Sequence, residues 1–305
     1  MIFKLHSCEC MDFYVNNRFF IVVALLFISC SKEEVSIPKY EMSYDLYSET
    51  KLDVYSKDYG RRSFKPVIIY VHGGSWCSGD KSEWSLRQTR FFIDNGYICV
   101  SINYRLSPLY ASNSTQPHIM HPTQICDVAN AIAWVESHII EYGGDPSRLI
   151  LIGHSAGAHL VALYITNQRY SERAGAKIRN VKGACLLDGG AYLTMDDLVY
   201  SDTIVLNMIY NVVGTDSSSW LWEDFSPLAN IKQDYIPSVF LIYTDNEYRM
   251  ACNRKFSEAL SDAGFTCNDY VLKSYSHSEV LSRFPFYAGD QFFNEDFIIN
   301  MFNKL

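Results

Sequence analysis

A serine between small residues follows an apolar run near the middle of the chain. Residues 149–152 read Leu-Ile-Leu-Ile and lead into Gly153–Gly157, a G-H-S-A-G sequence with a further apolar stretch behind it. This order predicts a strand, a sharp turn and a helix, which would hold the serine in a strained backbone conformation at the end of a sheet. Glycines two residues on either side remove side chains that would clash in such a turn. Ser155 is therefore the candidate nucleophile.

A glycine-rich turn lies about eighty residues upstream of Ser155. The β-branched run Val67–Val71 leads directly into the sequence His-Gly-Gly-Ser. Glycines at this place let the backbone aim N–H groups at a carbonyl oxygen, and each such donor is worth about 3 kcal/mol to a developing oxyanion. The N–H groups of Gly74 or Ser75 and of Ala156, the residue after the nucleophile, are the expected donors. The predicted oxyanion hole comprises Gly73, Gly74, Ser75 and Ala156.

A serine hydroxyl is a weak nucleophile at neutral pH and needs a neighbouring base. Only two histidines follow Ser155 in the chain, His159 and His277. His159 lies four residues after the serine on the predicted helix, so its ring should point elsewhere. His277 follows a predicted strand and is the predicted base. His154, which adjoins the serine, is expected to pack rather than react.

Further stretches in the same order resemble the alpha/beta-hydrolase superfamily, in the branch of carboxylesterases, feruloyl or acetyl-xylan esterases and kynurenine formamidases. The resemblance is densest over 66–165 and spans most of 40–305. It implies an alpha/beta-hydrolase fold and hydrolysis of an ester or amide through an acyl-enzyme. The stretches that carry it are residues 72–76 with 79–81, 101–108, 121–122, Asp127, Trp134 and 142–146.

The acid that orients the base is expected between the serine and the histidine in the chain. The turn after the predicted strand 238–243 offers Asp245 and Glu247. Asp245 stands eleven residues before Phe256, a spacing that resembles the family's. Counted from the start of the strand, Glu247 takes the family position instead. We predict Asp245 as the acid, with Glu247 as the alternative.

Strand and helix patterns alternate along the chain, which predicts a mostly parallel sheet flanked by helices, with the site at the carboxyl ends of the strands. Tyr44–Tyr47 and Leu52–Tyr55 are predicted as an edge hairpin because apolar and polar residues alternate there. Residues 190–232 lack steady periodicity and are predicted to form a small cap insertion over the site. Arg105 and Asp127 are candidates for an internal ion pair. The remaining predicted strands cover 66–71, 97–104, 149–153, 182–187, 238–243 and 269–272, with helices near 83–94, over 124–142 and from Ser155.

The first thirty residues differ from the rest of the chain. The apolar run Phe19–Ile28 is too short to span a bilayer but matches the hydrophobic part of a signal peptide. Cys30, after a small residue, resembles the lipid-modified cysteine of a bacterial lipoprotein. We predict a signal peptide over 1–30, a tether over 31–39 and a hydrolase domain over 40–305. The expected location is outside the cytoplasm, with the chain anchored to a membrane through Cys30.

The chain has 305 residues, 48% of them hydrophobic, which suffices for one large α/β domain. A net charge of −8 without a basic stripe argues against nucleic acid as a partner. We predict a serine hydrolase that cleaves short acyl or aryl carboxylic esters with no metal or cofactor. Its substrate is expected to be a small ester or an acylated glycan. The alternatives are a formamidase or amidase with the same triad, a peptidase, and a catalytically silent hydrolase fold used for binding.

Overall fold

The computed structural model of the chain describes residues 36–109, 119–192, 194, 203–216, 220–287 and 294–305. The predicted signal peptide and Cys30 lie outside these residues and stay a prediction. Within the described ranges, no helix is long and apolar enough to cross a membrane.

One eight-stranded sheet has the strand order β1-β2-β4-β3-β5-β6-β7-β8. The first strand pairs antiparallel with the second and the second with the fourth, whereas the remaining neighbours are parallel. The predicted alpha/beta-hydrolase fold, with its mostly parallel sheet, is confirmed. The strands are β1 (Lys39–Ser43), β2 (Lys51–Tyr55), β3 (Lys65–Val71), β4 (Ile98–Ile102), β5 (Gly144–His154), β6 (Val181–Leu187), β7 (Ser238–Thr244) and β8 (Cys267–Leu272).

Helices cover both faces of the sheet because successive strand residues point to opposite sides. On β3, Val67 and Ile69 join a core with α2, α3 and α7, whereas Ile68 and Tyr70 join a second core with α1, α8 and α9. Two helices, α5 and α6, lie within the predicted cap insertion. The helices are α1 (Leu86–Asp94), α2 (Thr123–His138), α3 (Ala156–Thr166), α4 (Arg169–Ala174), α5 (Thr203–Val213), α6 (Trp220–Phe225), α7 (Glu247–Asp262), α8 (His277–Arg283) and α9 (Glu295–Asn303).

The edge hairpin forms, but its first strand is not the predicted one. Lys39–Ser43 pairs with β2, and residues 44–47 lie in the connection between the two strands. Tyr40 and Met42 pack against the core as Tyr44 does. The alternation of apolar and polar residues therefore begins before Tyr44, and this periodicity alone does not determine where the first strand starts and ends. The sheet also takes up Lys39, which was assigned to the tether.

The predicted ion pair between Arg105 and Asp127 is confirmed. Arg105 donates from Nε and Nη2 to the two carboxylate oxygens at 2.8 and 2.7 Å, and its backbone N–H also binds Asp127 at 3.0 Å. Asp127 is fully buried on α2, so the pair ties that helix to the loop after β4. In the same loop Ser107 donates its N–H to the carbonyl of Trp76 at 2.9 Å, which braces the glycine-rich turn.

Replacing Asp127 by Ala should lower the free energy of unfolding by about 3 kcal/mol, because the guanidinium of Arg105 is left without its buried partner. Urea unfolding followed by circular dichroism measures the change. Asp94→Ala is the matched control, since it breaks an exposed pair with Lys57 and should cost less than about 1 kcal/mol. Equal losses in the two variants would contradict the bracing role of the buried pair.

Candidate active site

Ser155 occupies a strained turn between β5 and α3. Its backbone lies at φ 55° and ψ −117°, and its N–H donates to the carbonyl of Leu187 at 2.9 Å. A Cβ on Gly153 would lie 2.4 Å from the carbonyl oxygen of Gly157, and one on Gly157 would lie 2.1 Å from that of Val71. Only glycine fits at these two places, so the G-x-S-x-G pattern is required by the packing of α3 against the sheet.

The structure brings the predicted nucleophile and base together. Ser155 Oγ lies 2.9 Å from His277 Nε2, although the two residues are 122 positions apart in the chain. His277 is the first residue of α8, where Ser276 and Glu279 form a reciprocal capping box. The cap fixes the start of the helix and so places the imidazole at the serine.

The carboxylate at His277 belongs to Asp188. Its Oδ2 lies 2.6 Å from His277 Nδ1. Because the carboxylate accepts this bond, Nδ1 carries the hydrogen and Nε2 is free to accept from the serine hydroxyl. Asp188 follows β6 directly, so the chain order of serine, acid and histidine is kept.

The prediction of Asp245 as the acid is therefore wrong, and Glu247 does not take the role either. Asp245 is exposed in the turn between β7 and α7, and Glu247 is exposed as the first residue of α7. Strand β6 lies beside β5 in the sheet, so the residue after it is close to Ser155, whereas the turn after β7 starts one strand further away. Asp188 follows an apolar run and precedes two glycines, a pattern that indicates a turn but does not by itself select Asp188 over Asp245.

The Asp188 carboxylate is ionised although it is almost completely buried from solvent. Its side chain is 1% exposed, and burial on its own would raise the pKa of this carboxyl. The hydrogen bond from His277, the charge of Arg249 and the N–H of Thr244 outweigh burial, so that the pKa of Asp188 lies below its ordinary value. The carboxylate therefore stays ionised at neutral pH and can stabilise a protonated His277.

The glycine-rich turn after β3 reaches the serine. Ser75, Trp76 and Ala156 line a cavity of about 50 Å³ together with Ser155. Gly74 has φ +94°, and a Cβ there would lie 2.2 Å from the carbonyl oxygen of Ser78. Gly74 thus makes the turn that brings Ser75 to the cavity. Gly73 and Gly74 are absent from the described lining of that cavity, and which N–H groups meet an oxyanion stays a prediction.

Tyr104, from the stretch 101–108, contacts this turn through hydrogen bonds and ring stacking. Its hydroxyl donates to the carbonyls of His72 and Gly73 at 3.1 Å each, and its ring stacks on His72 with centroids 4.3 Å apart. His72 in turn donates from Nδ1 to the carbonyl of Gly73 at 2.8 Å. Burial lowers the pKa of His72 to about 4, so this supporting ring is neutral.

Two other histidines near the serine pack, as predicted. His154 stacks on His277 with ring centroids 4.7 Å apart and donates from Nε2 to its carbonyl at 3.1 Å. Burial lowers the pKa of His154 to about 4, so it presents no like charge to a protonated His277. His159 points away from the serine and binds the carbonyl of Phe225 on α6 at 2.9 Å.

Two larger clefts adjoin the small cavity. An apolar cleft of about 650 Å³ shares Ser75 and Met208 with it, and a cleft of about 570 Å³ shares Tyr248 and Arg249. The second cleft is lined in part by His277 and is more polar than the apolar cleft, so we call it the polar cleft. The apolar cleft is also lined by Leu109, Met120, Ile204 and Tyr210, and the polar cleft by Thr244, Asp245, Asn246, Tyr275 and Ser276.

Across the described part of the chain, no group of three or more His, Cys, Asp or Glu side chains could hold a metal ion.

Comparison with known proteins finds similar sequences and similar structures. The BD-FAE family model matches residues 52–185, which include the glycine-rich turn and the nucleophile. Esterase LipQ of Mycobacterium tuberculosis is 41% identical over 229 residues, which are 72% of this chain and 50% of LipQ. A probable isoprenylcysteine alpha-carbonyl methylesterase of rice, Oryza sativa, is 25% identical over 81% of this chain and 58% of its own length. The chain thus spans about half the length of these relatives.

Solved structures share the fold. The esterase Est2 of Thermogutta terrifontis superposes with a TM-score of 0.64 at 21% identity and covers 88% of this chain and 91% of its own. Esterase B of Lactobacillus Rhamnosis gives a TM-score of 0.67 at 19% identity, with 89% and 86% covered. The chain has the alpha/beta-hydrolase fold that these structures share. The relatives and neighbours that it matches are named as esterases, in agreement with the resemblance seen in the sequence.

The identity of the acid can be tested through the reactivity of the serine. Asp188→Asn should slow labelling of Ser155 by a fluorophosphonate about 100-fold or more, because the amide no longer holds the tautomer that leaves Nε2 free. Mass spectrometry of the labelled peptide measures the rate. Asp245→Asn is the matched control and should label like the unmodified protein. The reverse pattern would return the acid to the turn after β7.

Proposed function

We propose that the protein is a carboxylic ester hydrolase that works through Ser155, His277 and Asp188. The observation that carries the proposal is the continuous hydrogen-bonded chain from Ser155 Oγ through His277 to Asp188, with contacts of 2.9 and 2.6 Å, at a cavity lined by the glycine-rich turn. The esterases among its relatives support the reaction class.

In the first half-reaction, Ser155 Oγ forms a bond to the ester carbonyl carbon while His277 Nε2 takes the hydroxyl proton. The carbonyl oxygen becomes an oxyanion, which we predict to accept hydrogen bonds from N–H groups of the 73–75 turn and of Ala156. The ester C–O bond then breaks, and His277 gives its proton to the leaving alcohol. In the second half-reaction a water repeats these steps on the acyl-enzyme and releases the acid.

The clefts suggest which parts of an ester the site accepts. His277 must protonate the leaving oxygen, so the alcohol belongs on the side of the polar cleft that His277 lines. The acyl group then lies in the cavity of about 50 Å³ beside Ser155, which admits a short chain. Met208 borders both this cavity and the apolar cleft, so a longer acyl chain has to pass it. This geometry favours short acyl esters of polar alcohols. An acylated glycan would fit this class, but that choice rests on the predicted export alone.

Hydrolysis of p-nitrophenyl acetate, butyrate and octanoate tests the reaction. Activity should fall with chain length, and Ser155→Ala should lower kcat about 1000-fold or more, since alanine has no hydroxyl to attack the ester carbonyl carbon. Ser261→Ala, an exposed serine on α7, is the control and should leave the rates unchanged. Ester turnover that survives in Ser155→Ala would sink the proposal. A serine that reacts with fluorophosphonate without any ester turnover would favour the formamidase alternative.

Met208→Ala tests the division between cavity and apolar cleft. Removing the side chain should raise the ratio of kcat/KM for octanoate to that for acetate about tenfold, because the chain gains a path into the apolar cleft. Met120→Ala is the control, since Met120 lines the cleft without bordering the cavity. An unchanged ratio in Met208→Ala would contradict this placement of the acyl group.

A further inference from the structure

Two side chains of α7 bind the backbone of the turn that carries Asp188. Arg249 donates from Nη1 to the carbonyl oxygen of Asp188 at 2.8 Å. Asn253, one helical turn further on, donates from Nδ2 to the carbonyl of Gly189 at 3.0 Å and is fully buried. Residues four apart on a helix share a face, so consecutive carbonyls of the turn are bound by one face of α7.

The same helix also reaches the far end of the turn. Ala191 donates its N–H to the hydroxyl of Tyr248 at 3.1 Å. Gly190 leaves room for this contact, since a Cβ there would lie 2.8 Å from Arg249 Nη1 and 3.1 Å from Tyr248 Cε1. Gly190 therefore lets α7 pack directly on the turn.

The turn needs such support because its backbone is strained. Asp188 has φ 45° and Ala191 has φ 58°, which lie in the left-handed region that side chains disfavour. Conformations of this kind cost about 1–3 kcal/mol each and persist where surrounding contacts hold them. If the backbone of Asp188 relaxed to an unstrained conformation, its carboxylate would lose the hydrogen bond to His277 Nδ1.

Arg249 also faces the carboxylate itself. Its Nε lies 3.8 Å from Asp188 Oδ2, the oxygen that His277 binds, and its side chain is 18% exposed. The other oxygen, Oδ1, accepts from the N–H and the hydroxyl of Thr244 at 2.8 and 3.1 Å. The carboxylate is thus held on one side by the end of β7 and on the other by the cation of α7.

We propose that Arg249 is a positioning residue of the active site, which holds the turn after β6 in the backbone conformation that aims Asp188 at His277. Tyr248 and Asn253 assist it by binding the same turn. The segment on which the acid was expected, from β7 into α7, thus supplies the support for an acid carried by the neighbouring strand. The kinetic test of this role rests on the proposed function, whereas its spectroscopic test does not.

The kinetic test is a double-mutant cycle on p-nitrophenyl butyrate. Arg249→Met should lower kcat about 10–100-fold and change KM less than about threefold, because the misplaced acid acts on the reacting state more than on binding. In an Asp188→Asn background the same change should cost less than about threefold more, since Arg249 acts through Asp188. Arg254→Met, an exposed arginine on the same helix, is the matched control. Tyr248→Phe removes one hydroxyl and gives a milder variant, for which a loss of a few-fold is expected.

The spectroscopic test follows the proton between His277 and Asp188. The Nδ1–H of His277 should give a far-downfield proton resonance that vanishes in Asp188→Asn, because it requires the short bond to the carboxylate. Arg249→Met should shift or broaden this resonance, while Arg254→Met should leave it unchanged. This reading needs no substrate, so it stays valid if no ester is turned over.

Independent losses in the double-mutant cycle would overturn the proposal, as would an Arg249→Met protein with the unmodified kcat and the unmodified downfield resonance. Thermal unfolding is recorded for every variant. Should Arg249→Met fail to fold, Tyr248→Phe carries the same two measurements, and an unchanged kcat with an unchanged resonance there would count against the proposal equally.

Discussion

The close approach of α3 to the end of β3 determines where the reactive groups of the site lie. Gly157, in the first turn of α3, faces the carbonyl of Val71 so closely that any side chain would collide with it. This contact brings Ser155 beside the glycine-rich turn that leaves β3, so one close contact positions both the candidate nucleophile and the predicted oxyanion loop. A side chain at Gly157 would push Ser155 and the glycine-rich turn apart.

Those parts of the candidate site that depend on local backbone geometry could be predicted from the sequence. The elbow and the glycine-rich turn are local features, since strand, turn and glycine all lie within ten residues and each leaves its own pattern. His277 could be found by elimination among few histidines and by its place after a predicted strand. The buried pair of Arg105 and Asp127 also followed from the motif stretches.

The acid could not be found in this way. Which turn meets His277 depends on the order of strands in the sheet and on a left-handed backbone at Asp188, and neither leaves a pattern in the neighbouring residues. The turns after β6 and β7 each carry a carboxylate after an apolar strand, so residue type alone does not separate Asp188 from Asp245. The first strand of the hairpin was misplaced for a related reason, because alternation continues past its end.

Ser155 and Asp188 follow adjacent parallel strands that are paired without a register shift from Ile150 to His154, with His154 opposite Leu187. The hydrogen bonds between these strands therefore fix the position of Ser155 relative to Asp188. His277 arrives from beyond β8, which forms the outer edge of the sheet and pairs with β7 alone. A displacement of the sheet edge would therefore move His277 away from the other two residues. Ser155 and Asp188 would stay in place, but no base would remain to take the proton from the serine.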